Sequence, residues 1–179
     1  WSVLERQGFI AKAYCHEIRI PLSEEAAIEY ATAKGAAGRY RIAAENPLKE
    51  KVVEELLNKH EGDRILIIAQ YLDQLEKIKK RFGFPMITGS TGKKKRDELY
   101  DAFRSGKENV LIVSKVANYA IDLPDASVAI QLSGSFGSRQ EEAQRLGRIL
   151  RPKEKDSHFY TIVTKFTSEE DFAQNRQKF

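Results

Sequence analysis

With a single cysteine, Cys15, the chain can close no internal disulfide, and that scarcity fits a reducing compartment. Its three histidines, His16, His60 and His158, are scattered along the sequence. With only one cysteine beside them they offer no metal-ligand spacing, so no structural metal is expected. No apolar run approaches the roughly 18 residues needed to cross a bilayer, and the first residues lack the basic-then-apolar order of a signal peptide, so no membrane association is expected. Internal repeats and low-complexity tracts are missing too. The chain starts at Trp1 rather than a methionine, and a last helical pattern, Ser168 to Lys178, is cut off at Phe179. Both features lead us to expect a piece of a longer protein.

What is present describes a soluble globular domain: 179 residues, 41% hydrophobic and 31% charged, enough for one domain with a full core. Residues 1–22 read as a connecting segment, with apolar runs at Phe9-Ile10-Ala11 and His16 to Ile20 that stop at Pro21. Ser23, followed by Glu24 and Glu25, predicts a helix ending around Lys34-Gly35, and Gly35 to Gly38 reads as a flexible join. Asn46-Pro47 supplies a cap and a first-turn proline for a helix carrying Val52, Val53, Leu56 and Leu57 and ending near His60. From Asp63 strands and helices alternate: strand Ile65 to Ala69, a helix with Leu72, Leu75 and Ile78 that Gly83 stops, and a short strand Pro85 to Thr88. Helix Thr91 to Phe103, strands Val110 to Val113 and Val128 to Leu132, helix Ser138 to Leu150 and strand Phe159 to Val163 complete the order. Alternation of this kind predicts a mostly parallel sheet with helices on both faces, a three-layer α/β domain. Ligands of such sheets bind beyond the carboxyl ends of the strands, where Gln70, Tyr71, Gly89 to Gly92, Ser114, Lys115 and Ser133 to Gly137 fall.

Net charge is +4, from 30 basic and 26 acidic residues, which permits a nucleic-acid partner without requiring one. The cations concentrate in Lys93-Lys94-Lys95-Arg96 and in Arg139, Arg145, Arg148 and Arg151. If Ser138 caps the second of these helices, steps of about 100° put Ala143, Leu146 and Leu150 on one side and Gln144, Arg148 and Arg151 on the other. On spacing alone this is equally a solvated helix with a basic face. Gly89-Ser90-Thr91-Gly92-Lys93-Lys94 fails as a phosphate-binding loop of the form G-x-x-x-x-G-K-[ST]: the first glycine position holds Ile87 and the hydroxyl position holds Lys94. Asp97-Glu98 lies inside a predicted helix, so it is not a strand-ending acidic pair that would hold magnesium. Asp122, before Pro124, reads by itself as a turn-forming aspartate. Tyr71, Phe84 and Phe136 have the chemistry to stack on bases, with core packing as the alternative.

The order of the residues carries further information. Gln144-Arg145-Leu146-Gly147-Arg148-Ile149-Leu150-Arg151 has the form Q-R-x-G-R-x-x-R, and it follows Ser114 to Ala117, Ala120 to Pro124, Gln131 to Ser133 and Gly137 to Ala143. This series resembles the XPB-type superfamily 2 DNA helicases, in their C-terminal RecA-like lobe, over nearly the whole chain. The resemblance implies a lobe over residues 23–179 joined through 1–22 to an N-terminal motor lobe. It implies ATP with Mg2+, bound mainly by that other lobe, 3′ to 5′ movement on double- or single-stranded DNA, and a role in nucleotide excision repair or transcription-linked DNA opening. By the same resemblance Arg148 and Arg151 are arginine fingers, Gln144 meets the phosphates or the attacking water, and Asp122, Arg145 and Gly147 complete nucleotide binding, with Arg145 alternatively structural. Gln70, Gly89, Lys93, Arg96, Ser114 and Lys115 are implied to contact nucleic acid. A repair nuclease or subunits of a transcription and repair complex are the implied partners, in a bacterial nucleoid or a nucleus. Lys115, Tyr119 and Ala120 depart from the aspartate, arginine and glycine common in other helicase branches. Two alternatives remain open from the sequence: a non-catalytic α/β module that binds DNA or protein, and the second lobe of a different superfamily 2 motor.

Overall fold

The computed structural model describes residues 13–114, 126–133 and 156–168. They form strand β1 (Ala13–Ile20), helices α1 (Glu24–Thr32), α2 (Ala36–Ala44) and α3 (Lys49–Lys59), strand β2 (Ile65–Ala69), helix α4 (Leu72–Phe82), strand β3 (Met86–Ile87), helix α5 (Lys93–Arg104), and strands β4 (Val110–Ser114), β5 (Val128–Gln131) and β6 (Ser157–Thr164). The strands make one six-stranded sheet in the order β1-β6-β5-β2-β4-β3, and every pairing is parallel. β2, β4 and β5 are buried at every position. That is why they read as unbroken apolar runs: a strand covered on both faces has no solvent side to alternate with.

The alternation of side chains across the pleat divides the strands between two cores. Ile65, Ile67, Ile112 and Ile130 meet Val53 and Leu56 of α3 and Leu75 and Ile78 of α4. Leu66, Ile68, Leu111, Val113 and Ala129 meet Tyr100 and Phe103 of α5 on the opposite face. Burying one such isoleucine or leucine contributes about 1.5–3 kcal/mol, so the three-layer arrangement rests on these two sets. The expected α/β architecture is the observed one.

Local signals account for most helix ends. The Ser23 side chain accepts from the Ala26 N–H at 3.2 Å, and Glu24 and Glu25 sit in the first turn of α1. Gly83 ends α4 in the left-handed conformation (φ 76°) and donates to the Lys79 carbonyl, a geometry that costs glycine least. Asn46 accepts from the Leu48 N–H at 3.2 Å, although regular α-helix begins only at Lys49. The expected flexible join at Gly35 to Gly38 is corrected: Gly35, at φ 85°, stands just before α2, and Gly38 lies within it. The buried stripe of α2 is Tyr40, Ala43 and Ala44, and its two alanines favour helix but give little hydrophobic contrast. Helix α5 starts at Lys93, two positions later than expected. The expected helix over 138–150 lies outside the described residues, as does all but Ser168 of the one expected over 168–178.

Far from being scattered in space, the three histidines meet at the amino-terminal end of β1 and β6. His16 Nε2 and His158 Nδ1 lie 3.1 Å apart, and the His158 and His60 rings are 5.1 Å apart. His60 bonds Tyr160 Oη at 2.6 Å through Nε2 and Asp63 Oδ2 at 3.1 Å through Nδ1. Tyr14 stacks on His158 and Tyr160 on His16. Burial comes first in lowering the pKa of both His16 and His158 below 6.5. Electrostatic interactions with Lys59 and His60 add to it, and Asp156 opposes it at His158. The His16–His158 bond needs one bare nitrogen, so two charged rings cannot keep it. Since the unfolded rings take up protons near 6.5 and the folded ones only below that, stability present above this pH is lost as pH falls through the lowered values. The melting temperature should therefore drop by roughly a few degrees between about pH 7.5 and about pH 5. A His16→Gln, His158→Gln variant should show a clearly smaller drop in the same thermal scans, and an identical drop contradicts the assignment.

Candidate functional site

Parallel pairing brings the carboxyl ends of all the strands to one edge. In register, Ala69 of β2 lies beside Ser114 of β4, Ile68 beside Gln131 of β5, and Ile87 of β3 beside Val113. Gln70 and the Gly89 turn follow β2 and β3, and Ser114 ends β4, which lies between those two strands. Ser114 is buried, Gln70 is half-buried with its Oε1 unpartnered, and Gly89 is exposed. Beyond Gly89 comes the first turn of α5, where Lys93 is exposed and Arg96 half-buried.

That first turn runs against the usual electrostatics of helices. Gly92 offers no side-chain cap and the turn holds no acidic residue, while Lys93, Lys94 and Lys95 stack positive charge where the helix dipole is already positive. Such placements are unfavourable by about 0.3–1 kcal/mol each at low salt, and an anion at the same place reverses the sign. The turn ahead of it is closed on itself. Thr88 N–H donates to Thr91 Oγ1, Ser90 N–H to Thr88 Oγ1 and Thr91 N–H to the Thr88 carbonyl. These amides do not face outward together, as a phosphate-wrapping loop requires.

A buried polar seam, which sequence reasoning missed, runs beneath the same edge. Asn46 Nδ2 donates to the Pro21 carbonyl at 2.7 Å and lies 3.3 Å from Thr164 Oγ1, which in turn donates to the Ala43 carbonyl. Lys49 Nζ donates to the Leu132 carbonyl at 2.5 Å. Ser133 Oγ accepts from the Gln70 N–H at 2.8 Å and donates to Gln74 Oε1 at 2.9 Å, and Gln74 Nε2 donates to the Ala44 carbonyl. A signal for it was present: Lys49 shares a helix stripe with Val53 and Leu56, and Gln74 sits one turn before Ile78, so both are polar residues on apolar faces.

Of the aromatic candidates, Phe84 packs against the core and stacks with Phe82 at 5.9 Å, so its ring is already occupied. Tyr71 lies under the Arg41 guanidinium at 5.0 Å. Arg41 also meets Glu45 at 3.1 Å and Asp73 at 2.8 Å, and Glu45, ahead of Asp73, raises its pKa. Lys115, Asp122, Phe136, Gln144, Arg145, Gly147, Arg148 and Arg151 lie outside the described residues.

Comparison with solved structures gives the class. The C-terminal part of the Fun30 ATPase domain superposes with a TM-score of 0.60 at 24% identity, covering 72% of this chain and 45% of that one. The two share a parallel α/β fold. The family described as ERCC3/RAD25/XPB C-terminal helicase matches residues 4–179, and the chain belongs to it. It is 50% identical to the DNA 3′-5′ helicase XPB of Kineococcus radiotolerans over all of this chain and 32% of that protein. The DNA 3′-5′ helicase XPB of Mycobacterium tuberculosis is 48% identical over all of this chain and 33% of its own length. The XPB subunit of general transcription and DNA repair factor IIH from Drosophila melanogaster is 36% identical, with 100% of this chain and 23% of that protein covered. The chain thus spans about a third or less of these relatives.

Proposed function

We propose that this chain is the C-terminal motor lobe of an ATP-dependent 3′ to 5′ DNA helicase or translocase of the XPB type. The observation that carries the reading is the family match over residues 4–179, in which relatives named as 3′-5′ helicases align with the whole chain. On this reading residues 1–22 link the chain to a preceding motor lobe, and β1, paired with β6 along Ala13 to Ile20, seats that link in the sheet. ATP is bound between the two lobes. Its Mg2+ belongs to the preceding one, because the acidic pair Asp97-Glu98 of this chain sits on α5 rather than at a strand end. Asp122, Arg145 and Gly147 complete nucleotide binding, with Gln144, Arg148 and Arg151 facing the phosphates. The Drosophila melanogaster relative's name, that of a transcription and DNA repair factor subunit, supports extending the proposal to DNA repair and transcription; to this we add opening of DNA, subunits of such complexes or a repair nuclease as partners, and a place in nucleoid or nucleus.

The DNA track follows the carboxyl edge, through Gln70, Gly89, Lys93, Arg96, Ser114 and Lys115. What supports it is the placement of Gln70, Gly89 and Ser114 at the carboxyl ends of neighbouring strands and the uncompensated cations opening α5. A backbone track of this kind predicts weak binding of the chain to duplex DNA, falling steeply with salt. Lys93→Ala and Arg96→Ala should each flatten the logarithmic salt slope by about 0.9 for every phosphate left without its cation, whatever the DNA sequence. Titrations by fluorescence anisotropy at several salt concentrations measure it. Affinity that ignores salt, or a slope unmoved by both substitutions, overturns the track.

A further inference from the structure

Lys49 is 1% exposed, and a buried ammonium costs several kcal/mol unless its partners compensate. An apolar residue on the same stripe of α3, beside Val53 and Leu56, would carry no such cost. Its Nζ is spent on the backbone carbonyl of Leu132, whose own N–H is held by the Ile68 carbonyl of β2. The next residue, Ser133, is 2% exposed and is gripped twice, by the Gln70 N–H and by the Gln74 side chain. Two residues just past the end of β5 are therefore held from β2 and the residue after it, from α3 and from α4. At the end of β6, Thr164 Oγ1 is held in a similar way, between Asn46 Nδ2 and the Ala43 carbonyl.

Leu132 and Ser133 are the last described residues before the stretch that bears Gln144, Arg148 and Arg151. We infer that Lys49, Gln74 and Ser133 form a buried clamp that fixes Leu132 and Ser133, the anchor from which the chain continues to Gln144, Arg148 and Arg151. They are positioning residues for ATP hydrolysis that touch no reacting atom themselves. This rests on the proposed motor-lobe function. Its logic is geometric: phosphoryl transfer relies on placement, and an error of about 1 Å in a group that stabilises the transition state can cost on the order of 10²-fold in rate.

The test joins this chain to its preceding motor lobe and compares Lys49→Met, which keeps length and apolar volume, with Ser133→Ala, which cannot overpack. Both should keep the KM for ATP within about twofold while kcat falls about 10- to 100-fold. Amide hydrogen exchange on the chain should rise at residues 132–133 and leave α5 unchanged. Unchanged kcat in both variants overturns the clamp. So does exchange that rises across α5 as well, which marks a general loss of stability, or a KM that worsens as much as kcat falls, which marks lost binding of ATP. An unsubstituted two-lobe protein without DNA-stimulated turnover would sink the motor-lobe reading itself, and the exchange pattern separates that outcome from failure of the clamp alone.

Discussion

Replacing Arg148 or Arg151 by alanine in the two-lobe protein should lower ATP turnover by about 10³-fold or more and leave ATP affinity within a few-fold. The reason is the timing of the charge. During transfer of the γ-phosphoryl group, negative charge spreads over oxygens that these guanidiniums would meet under the proposed assignment, so each interaction would be worth more in the transition state than in the bound substrate. Lysine should rescue poorly, because an ammonium keeps the charge but lacks the planar fork that holds two phosphate oxygens together. Arg139→Ala serves as the control for general loss of positive charge and should be mild. If the arginines were only the solvated face of a helix, their removal would shift stability by under about 0.5 kcal/mol and turnover hardly at all. A folded Arg148→Ala, Arg151→Ala variant with near-normal steady-state turnover decides against the finger assignment.

The centre of the sheet was legible because β2, β4 and β5 are covered on both sides. Ile65 to Ala69 and Val110 to Val113 admit no reading but buried strand or buried helix, and their length, with Gly83 and Gly106 between them, decides for strand. Alternation with helices then fixed parallel pairing, and with it the edge on which Gln70, Gly89 and Ser114 stand. Helix α2 was illegible for the opposite reason: its buried stripe includes two alanines, which pack well but carry little hydrophobic signal. The seam of Asn46, Lys49, Gln74, Ser133 and Thr164 could not be read either, since the bonds that tie it together join residues distant in sequence. Lys49 and Leu132 are 83 positions apart, and Asn46 and Thr164 are 118 apart. The histidines repeat the lesson. His16 and His158 are 142 positions apart, and only the pairing of β1 with β6, which no local pattern encodes, makes them neighbours. The roles of Asp122, Gln144, Arg145, Gly147, Arg148 and Arg151 came from the order of residues in the family pattern, and composition or periodicity alone would have left them a basic helix and a turn.

The second large effect is all-or-none. Among the described residues no loop wraps a phosphate chain: the turn at Thr88 to Gly92 spends three of its amides on its own oxygens, and Ile87 and Lys94 occupy positions where glycine and a hydroxyl would be required. The candidate acidic pair lies on α5, away from any strand end. Arginines that stabilise developing charge accelerate nothing where no nucleotide and metal are held opposite them, so half of the site should give no partial activity. DNA-stimulated ATP turnover, measured side by side for the purified chain, for the preceding motor lobe and for the two joined in one protein, tests this most directly. The expected result is turnover at the level of the buffer blank for each lobe by itself and DNA-dependent hydrolysis only when they are joined. Hydrolysis by this chain alone, surviving repurification, or full hydrolysis by the preceding lobe without it, would contradict its place as the second half of a motor.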